Sequence, residues 1–268
     1  MWYVHLAPFA SRLSFAYSSL VHRWLYDHPG ILHRDLSFNN IMYRLVKVKG
    51  EPKVYGVLTD YDLSSWTKSL KPDYTRTSQQ RTGTPPYMAQ ELLQGISPLH
   101  LYRHDVESLF YIMLLMAARH EIGTPKGEKK PRVLMRNSAE LPYREWFDQQ
   151  NYRMLGSLKG IFLSDEHPIE LSPDFKDFHP WLKSIQRRFS AGFKAKPGLD
   201  KGETPEWDNL SGNGTDIVQF DDETLGGRVK YETILKPIPH LEGALKGLAI
   251  RDPQHSPAPA ASTSTGAV

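Results

Sequence analysis

Apolar residues Leu6, Phe9, Leu13, Tyr17, Leu20, Val21, Trp24 and Leu25 recur at steps of three and four, the stripe of an amphipathic helix. Pro29-Gly30 ends it. Residues 41–48 change to a period of two, with Lys47 and Lys49 alternating against Val46 and Val48, and predict a strand. Lys49-Gly50-Glu51-Pro52 has turn chemistry, so residues 54–59 read as the return strand of a hairpin. Residues 64–82 are polar and without period, which predicts a loop. Residues 106–118 are apolar nearly all round and predict a helix buried on every side. Asp105 would sit at its N-terminus, where a carboxylate can cap free N–H groups. Residues 120–132 predict a charged loop bearing Gly and Pro. Residues 146–162 and 175–193 carry two further helical patterns, and 231–248 a last one, broken or kinked by Pro237 and Pro239. No internal repeat is present. The expected fold class is mainly α with a small β-hairpin.

The hairpin changes the picture chemically. It would bring Asn40, at its entry, near Asp60, at its exit, so that two side-chain oxygens from opposite ends of a rigid unit could share a hard cation. Composition narrows the rest. The chain has 268 residues, 40% of them hydrophobic, enough for a core, and a net charge of +3, too small to argue for nucleic acid. The absence of cysteine excludes disulfides and thiolate metal sites and fits a reducing compartment. His100, His104, His167 and His179 lack metal-ligand spacing, so no zinc site is expected. The N-terminus lacks the basic start and apolar core of a signal peptide, and the longest apolar run, residues 109–118, is too short for a bilayer. The expectation is a soluble intracellular protein, cytoplasmic or nuclear, with neither nucleic-acid nor membrane partner.

Four motifs then follow in order. His33-Arg34-Asp35-Leu36-Ser37-Phe38-Asn39-Asn40 fits the H-R-D-L-x-x-x-N pattern of protein kinases. After it come Asp60-Tyr61-Asp62, then Gly83-Thr84-Pro85-Pro86-Tyr87-Met88-Ala89-Gln90-Glu91, then His104-Asp105-Val106-Glu107-Ser108. Together they resemble the C-terminal lobe of a eukaryotic protein kinase and, more narrowly, the fungal-type protein kinase family. The resemblance covers residues 9–120 well and 140–250 loosely, including Glu223-Thr224-Leu225-Gly226-Gly227.

What the resemblance implies is ATP-dependent phosphoryl transfer to protein Ser/Thr hydroxyls, with ATP and magnesium as cofactors and a protein as substrate. Asp35 resembles the base that takes the hydroxyl proton, and Asn40 and Asp60 resemble the magnesium ligands. Arg34 resembles the arginine that holds a phosphorylated loop. Thr75, Thr77, Ser78 and Thr82 are then either a solvated stretch or phosphosites facing that arginine. Thr84 resembles the threonine that fixes the aspartate. Glu91 resembles an acid that pairs with a buried arginine, Arg187 or Arg188 being the candidates. Asp105 resembles the helix acid that braces the loop. The implied organisation is a kinase-like lobe over 1–195, a linker or long loop over 196–215, a terminal helical segment over 216–250 and a disordered tail over 251–268.

The departures carry chemistry too. Ser37 stands where Ser/Thr kinases carry a Lys that meets the transferring phosphate. Asp62 replaces a Gly that supplies backbone freedom. Gln90 replaces a Pro. Thirty-four residues precede Asp35 and read as one helix, with no Gly-rich loop, strand lysine or helix glutamate. The N-lobe is therefore expected to be missing from this chain, with weak or absent activity and a need for an N-lobe-bearing or other protein partner. The alternative class is a non-catalytic, pseudokinase-like interaction module. A small-molecule kinase also uses an Asp/Asn loop, but the stretch from Gly83 to Glu91 resembles a protein-substrate loop and argues against it.

Overall fold

The first apolar stripe folds as helix α1, Pro8–Asp27, and the Pro29-Gly30 pair turns the chain out of it. The computed structural model describes residues 8–48, 51–67, 83–97, 99–129, 132–137, 141–164, 167–197 and 220–235. After α1 come a two-residue strand β1, Ile31–Leu32, and a 3-10 turn, Phe38–Asn40. The predicted hairpin follows: β2, Ile41–Val48, pairs antiparallel with β3, Glu51–Leu58. Ile41 stands opposite Leu58, so the open end of the hairpin sets residue 40 beside residue 59. Helix α1 packs along both strands.

The stretch expected to be all loop holds a small strand. β4, Ser65–Trp66, pairs back onto β1, with Ile31 opposite Trp66. Only two residues pair, too few for the alternation that marks a strand in a sequence. Residues 68–82, with the Thr75–Thr82 cluster, lie outside the described residues.

The apolar run forms α3, Tyr102–Arg119, entered through the short α2, Gln90–Gln94. Every residue of α3 is buried, which is what an all-round apolar helix requires. Leu101, not Asp105, is its N-cap residue. The charged loop expected at 120–132 is instead the rim of a second hairpin, β5, His120–Gly123, against β6, Arg132–Met135. Pro125 and Gly127 fall in its turn while Gly123 ends β5, and four-residue strands are too short to show their period.

The helical pattern at 146–162 divides into α4, Glu145–Asp148, and α5, Tyr152–Leu163. Asn151 separates them and caps α5, its side chain accepting the Met154 N–H at 3.1 Å. A 3-10 turn, Pro173–Phe178, leads into α6, His179–Ala195. The last described helix is α7, Tyr231–Leu235. Phe110, Phe162 and Phe189 stack at centroid distances near 6 Å, 6.2 and 6.1 Å, with Trp146 edge-on to Phe162. Leu225, fully buried, meets Gly192 of α6. Most of the expected linker, the last helix beyond residue 235 and the tail over 251–268 lie outside the described residues. Among the described residues no helix is long and apolar enough to cross a membrane.

Candidate active site

The loop that carries Asp35 leaves β1 and is held from below by one carboxylate. Asp105 of α3 accepts the backbone N–H of His33 at 2.8 Å and of Arg34 at 3.1 Å. It also receives His22 Nε2 at 2.7 Å and His100 Nε2 at 2.8 Å. Burial alone would raise this carboxyl; His100 and His22 outweigh it and hold it well below the usual range. Asp105 thus serves not its own helix but the N–H groups of a loop seventy-odd residues away. The reason is its place in the first turn, inward of the cap. Arg34 takes a left-handed backbone, φ +70°, which costs a non-glycine residue about 1–2 kcal/mol. The bonds to Asp105 fix that conformation. The Arg34 side chain is half-buried, and burial lowers its guanidinium from the ordinary value.

Asp35 is met from above. Thr84 donates its N–H at 3.0 Å and its hydroxyl at 3.1 Å to the same oxygen, Oδ1. The other carboxylate oxygen is left to an incoming donor. Gly83 makes this approach: its φ is +126°, and a Cβ there would lie 2.8 Å from Met88 Cγ and 3.5 Å from the Arg34 carbonyl. Asn40 closes the loop by donating Nδ2 to the Asp35 carbonyl at 2.8 Å. That use of the amide nitrogen leaves Oδ1, a hard oxygen of the kind magnesium takes.

Asp60 follows the hairpin exit. Thr59 N–H bonds the Asn40 carbonyl at 3.0 Å, and Asp60, one residue on, is exposed and left-handed at φ +67°. The backbone strain expected at Asp62, where Gly was replaced, therefore sits at Asp60. His33 Nε2 faces the Thr59 carbonyl at 3.0 Å, and its ring packs on Tyr61 at 4.9 Å, tying the two loops together. Asp35, Thr84 and Asn40 thus form one bonded set, with Asp60 at the mouth of the hairpin beside it. Among the described residues no three His, Asp or Glu side chains converge as a metal cage. Magnesium is ordinarily held by one or two protein oxygens together with water and phosphate, so Asn40 and Asp60 suit it.

The segment from Thr84 to Glu91 is anchored by charges that the sequence did not single out as partners. Glu91 pairs with Arg103 of α3 and, at 2.9 Å, with Lys196. The buried arginine is thus Arg103, from the first turn of α3, and neither Arg187 nor Arg188 of α6. Arg103 also reaches Asp222 at 3.1 Å. Burial opposes ionisation of Glu91, but His104, Arg103 and Lys196 outweigh it and bring the carboxyl down to about 2. Next door, Glu107 accepts Gln90 N–H and the Tyr111 hydroxyl, both at 2.7 Å. Lys159 of α5 donates to the Pro85 carbonyl at 3.1 Å and the Met88 carbonyl at 2.6 Å. The signal for the last two was a lone charge inside a segment whose neighbours must be buried.

Comparison with known proteins bears on this arrangement. The family model for fungal protein kinases matches residues 19–117, the span that contains Asp35, Asn40, Asp60, Thr84 and Asp105. Over that span, somewhat more than a third of the chain, the protein is similar to the fungal protein kinases, in keeping with the motifs it carries there. The chain is also 28% identical over 178 residues to the serine/threonine-protein kinase CHK1 of Saccharomyces cerevisiae. The alignment takes in 66% of this chain and 31% of that kinase, so the chain spans about a third of the relative's length.

Proposed function

We propose that this chain is the C-terminal, loop-bearing lobe of a protein kinase that transfers phosphate from ATP to Ser/Thr hydroxyls of proteins. The observation that carries the reading is the double hydrogen bond from Thr84 to one oxygen of Asp35. It occupies Oδ1 twice, so that Oδ2 would be the oxygen that accepts a hydroxyl proton. Asn40 and Asp60 would hold magnesium through oxygens that no described residue claims. Magnesium-ATP would supply the phosphoryl group and neutralise its charge. Asp105 would keep the loop in register from beneath, and Arg34 would receive phosphate from a modified 75–82 stretch. The lobe is taken to span 1–195 and to resume over 216–250.

Two features limit the activity of this polypeptide taken alone. Ser37 offers no cation to the transferring phosphate, and no Gly-rich loop occurs in the sequence to grip the β- and γ-phosphates. Activity is therefore expected to be weak or absent unless another protein segment supplies that grip. Ser37 favours a second reading, a non-catalytic interaction module built on the same lobe.

Phosphate transfer from magnesium-ATP to a generic basic protein tests the first reading, with Asp35→Asn measured alongside. Incorporation lost in Asp35→Asn supports it. Incorporation that survives the substitution overturns the role of Asp35. A chain that sediments as a clean monomer and shows no magnesium-dependent nucleotide binding by calorimetry belongs to the second reading.

A further inference from the structure

The turn that carries Thr84 is closed on itself: the Thr84 carbonyl accepts the N–H groups of Tyr87 at 2.9 Å and Met88 at 3.2 Å. Other carbonyls of the turn accept from a side chain of α5. Lys159 reaches two of them, Pro85 and Met88, one from each end of the turn. Glu107 takes the next backbone donor along, the Gln90 N–H, on an oxygen that the Tyr111 hydroxyl also binds. Residues 85–90 are thereby gripped by two side chains from two different helices. Both are fully buried.

A lysine is an expensive way to fill this space. An apolar side chain of similar length would pack without desolvating an ammonium. The chain pays that cost and partly offsets it by setting Nζ over the Tyr111 ring at 4.2 Å and the Trp146 ring at 5.2 Å. Burial also works against both charges, holding the Lys159 ammonium well below its ordinary value and raising the Glu107 carboxyl to about 7. The approach itself is built into α5. A Cβ on Gly156 would lie 2.9 Å from the Gln90 carbonyl and 2.6 Å from Gln94 Cγ, and one on Gly160 would lie 2.7 Å from Gln90 Oε1. Two glycines four apart, with Lys159 between them, let α5 lie directly on α2.

We propose that Lys159, supported by Glu107, is a positioning residue for the Asp35 carboxylate, acting through the turn that presents Thr84. Lys159 touches neither Asp35 nor the mouth of the hairpin; it fixes the two Thr84 donors. The functional meaning rests on the phosphotransfer reading above, but the structural link does not.

Amide hydrogen exchange on the full chain tests the link without reference to activity. In Lys159→Met the Thr84 amide, and those of residues 87–90, should exchange at least about tenfold faster, the loss of charge-assisted bonds to that turn alone. The amides of α3 from Leu109 to Met116 should stay within about twofold. Glu107→Gln keeps an oxygen for both donors and should leave Thr84 as in the parent chain, whereas Glu107→Leu should speed it. Gly156→Ala, which pushes α5 off α2, is the second variant should Lys159→Met not fold, and it should give the same local rise. Thr84 exchange unchanged in Lys159→Met, or raised uniformly with the whole protein, overturns the proposal. Local loosening in a chain with no nucleotide chemistry keeps the positioning link and removes the kinase reading. Turnover with Thr84 exchange unaltered does the reverse.

Discussion

Glu91 follows Gln90 in the chain and Glu107 accepts the Gln90 N–H; both acids are buried, and they meet opposite electrostatic fates. Glu91 is brought down to about 2 because His104, Arg103 and Lys196 overcome the effect of its burial. Glu107 is pushed up to about 7 because burial dominates and its neighbours offer an N–H, a hydroxyl and a lysine occupied elsewhere. A buried acid is therefore not one kind of group. The first belongs to a paired network of α2, α3, Lys196 and Asp222 that carries stability. The second belongs to a cluster that places the Thr84 turn at some cost to stability.

The sharpest way to break this contrast is Arg103→Ala. It removes the buried one of the two cations that Glu91 and Asp222 share and leaves them Lys196 alone, and the expected loss is about 3–5 kcal/mol by chemical denaturation. A retained midpoint would mean that Lys196 alone carries the pair. The pH dependence comes next, and the two sides run in opposite senses. Glu91 has a folded value below the unfolded one, so its contribution is present above about 4.5 and lost as pH falls towards 2. His104 is held neutral, down to about 3, chiefly by burial, so acid begins to favour the unfolded chain below about 6.5. Glu107 is raised, so its contribution is present below about 4.5 and lost as pH climbs through 7. Denaturation midpoints of Glu107→Gln against pH should lack that decline between 4.5 and 7, a difference on the order of 3 kcal/mol. Curves that stay parallel across the range would remove the contrast. The smallest effect is Asn151→Ala. It deletes the cap of the helix that carries Lys159 and should cost about 1 kcal/mol, read from the thermal midpoint.

How much of this was visible in the letters depended on the range of the interaction. The first hairpin was legible in place because Val46, Lys47 and Val48 alternate, although its return strand already begins at Glu51 and takes in Pro52, both expected in the turn. Helix α3 was legible because apolar residues on every face leave no other place for it. The juxtaposition of Asn40 with the hairpin exit followed from those two facts. The second hairpin was missed, because Glu121 and Gly123 mask strands of four residues. Asp105 read locally as a helix cap, and only the resemblance pointed to the loop it braces; of the two imidazoles that share it, His100 is five residues away and His22 is far off in the chain. Arg103 was passed over for Arg187 and Arg188 because only the folded chain shows which arginine reaches Glu91. The left-handed strain was expected at Asp62 and fell on Asp60 for the same reason: a φ angle is set by what the chain must reach next.

The imidazole of His22 bonds Asp105 on one edge and the Tyr231 hydroxyl on the other, across 209 residues of sequence. One ring therefore stands between the last described helix and the peptide groups of His33 and Arg34. A disturbance at Tyr231 has a covalent route of two hundred links to that loop and a hydrogen-bonded route of three, and the short one passes through an anion that cannot readily shed its charge.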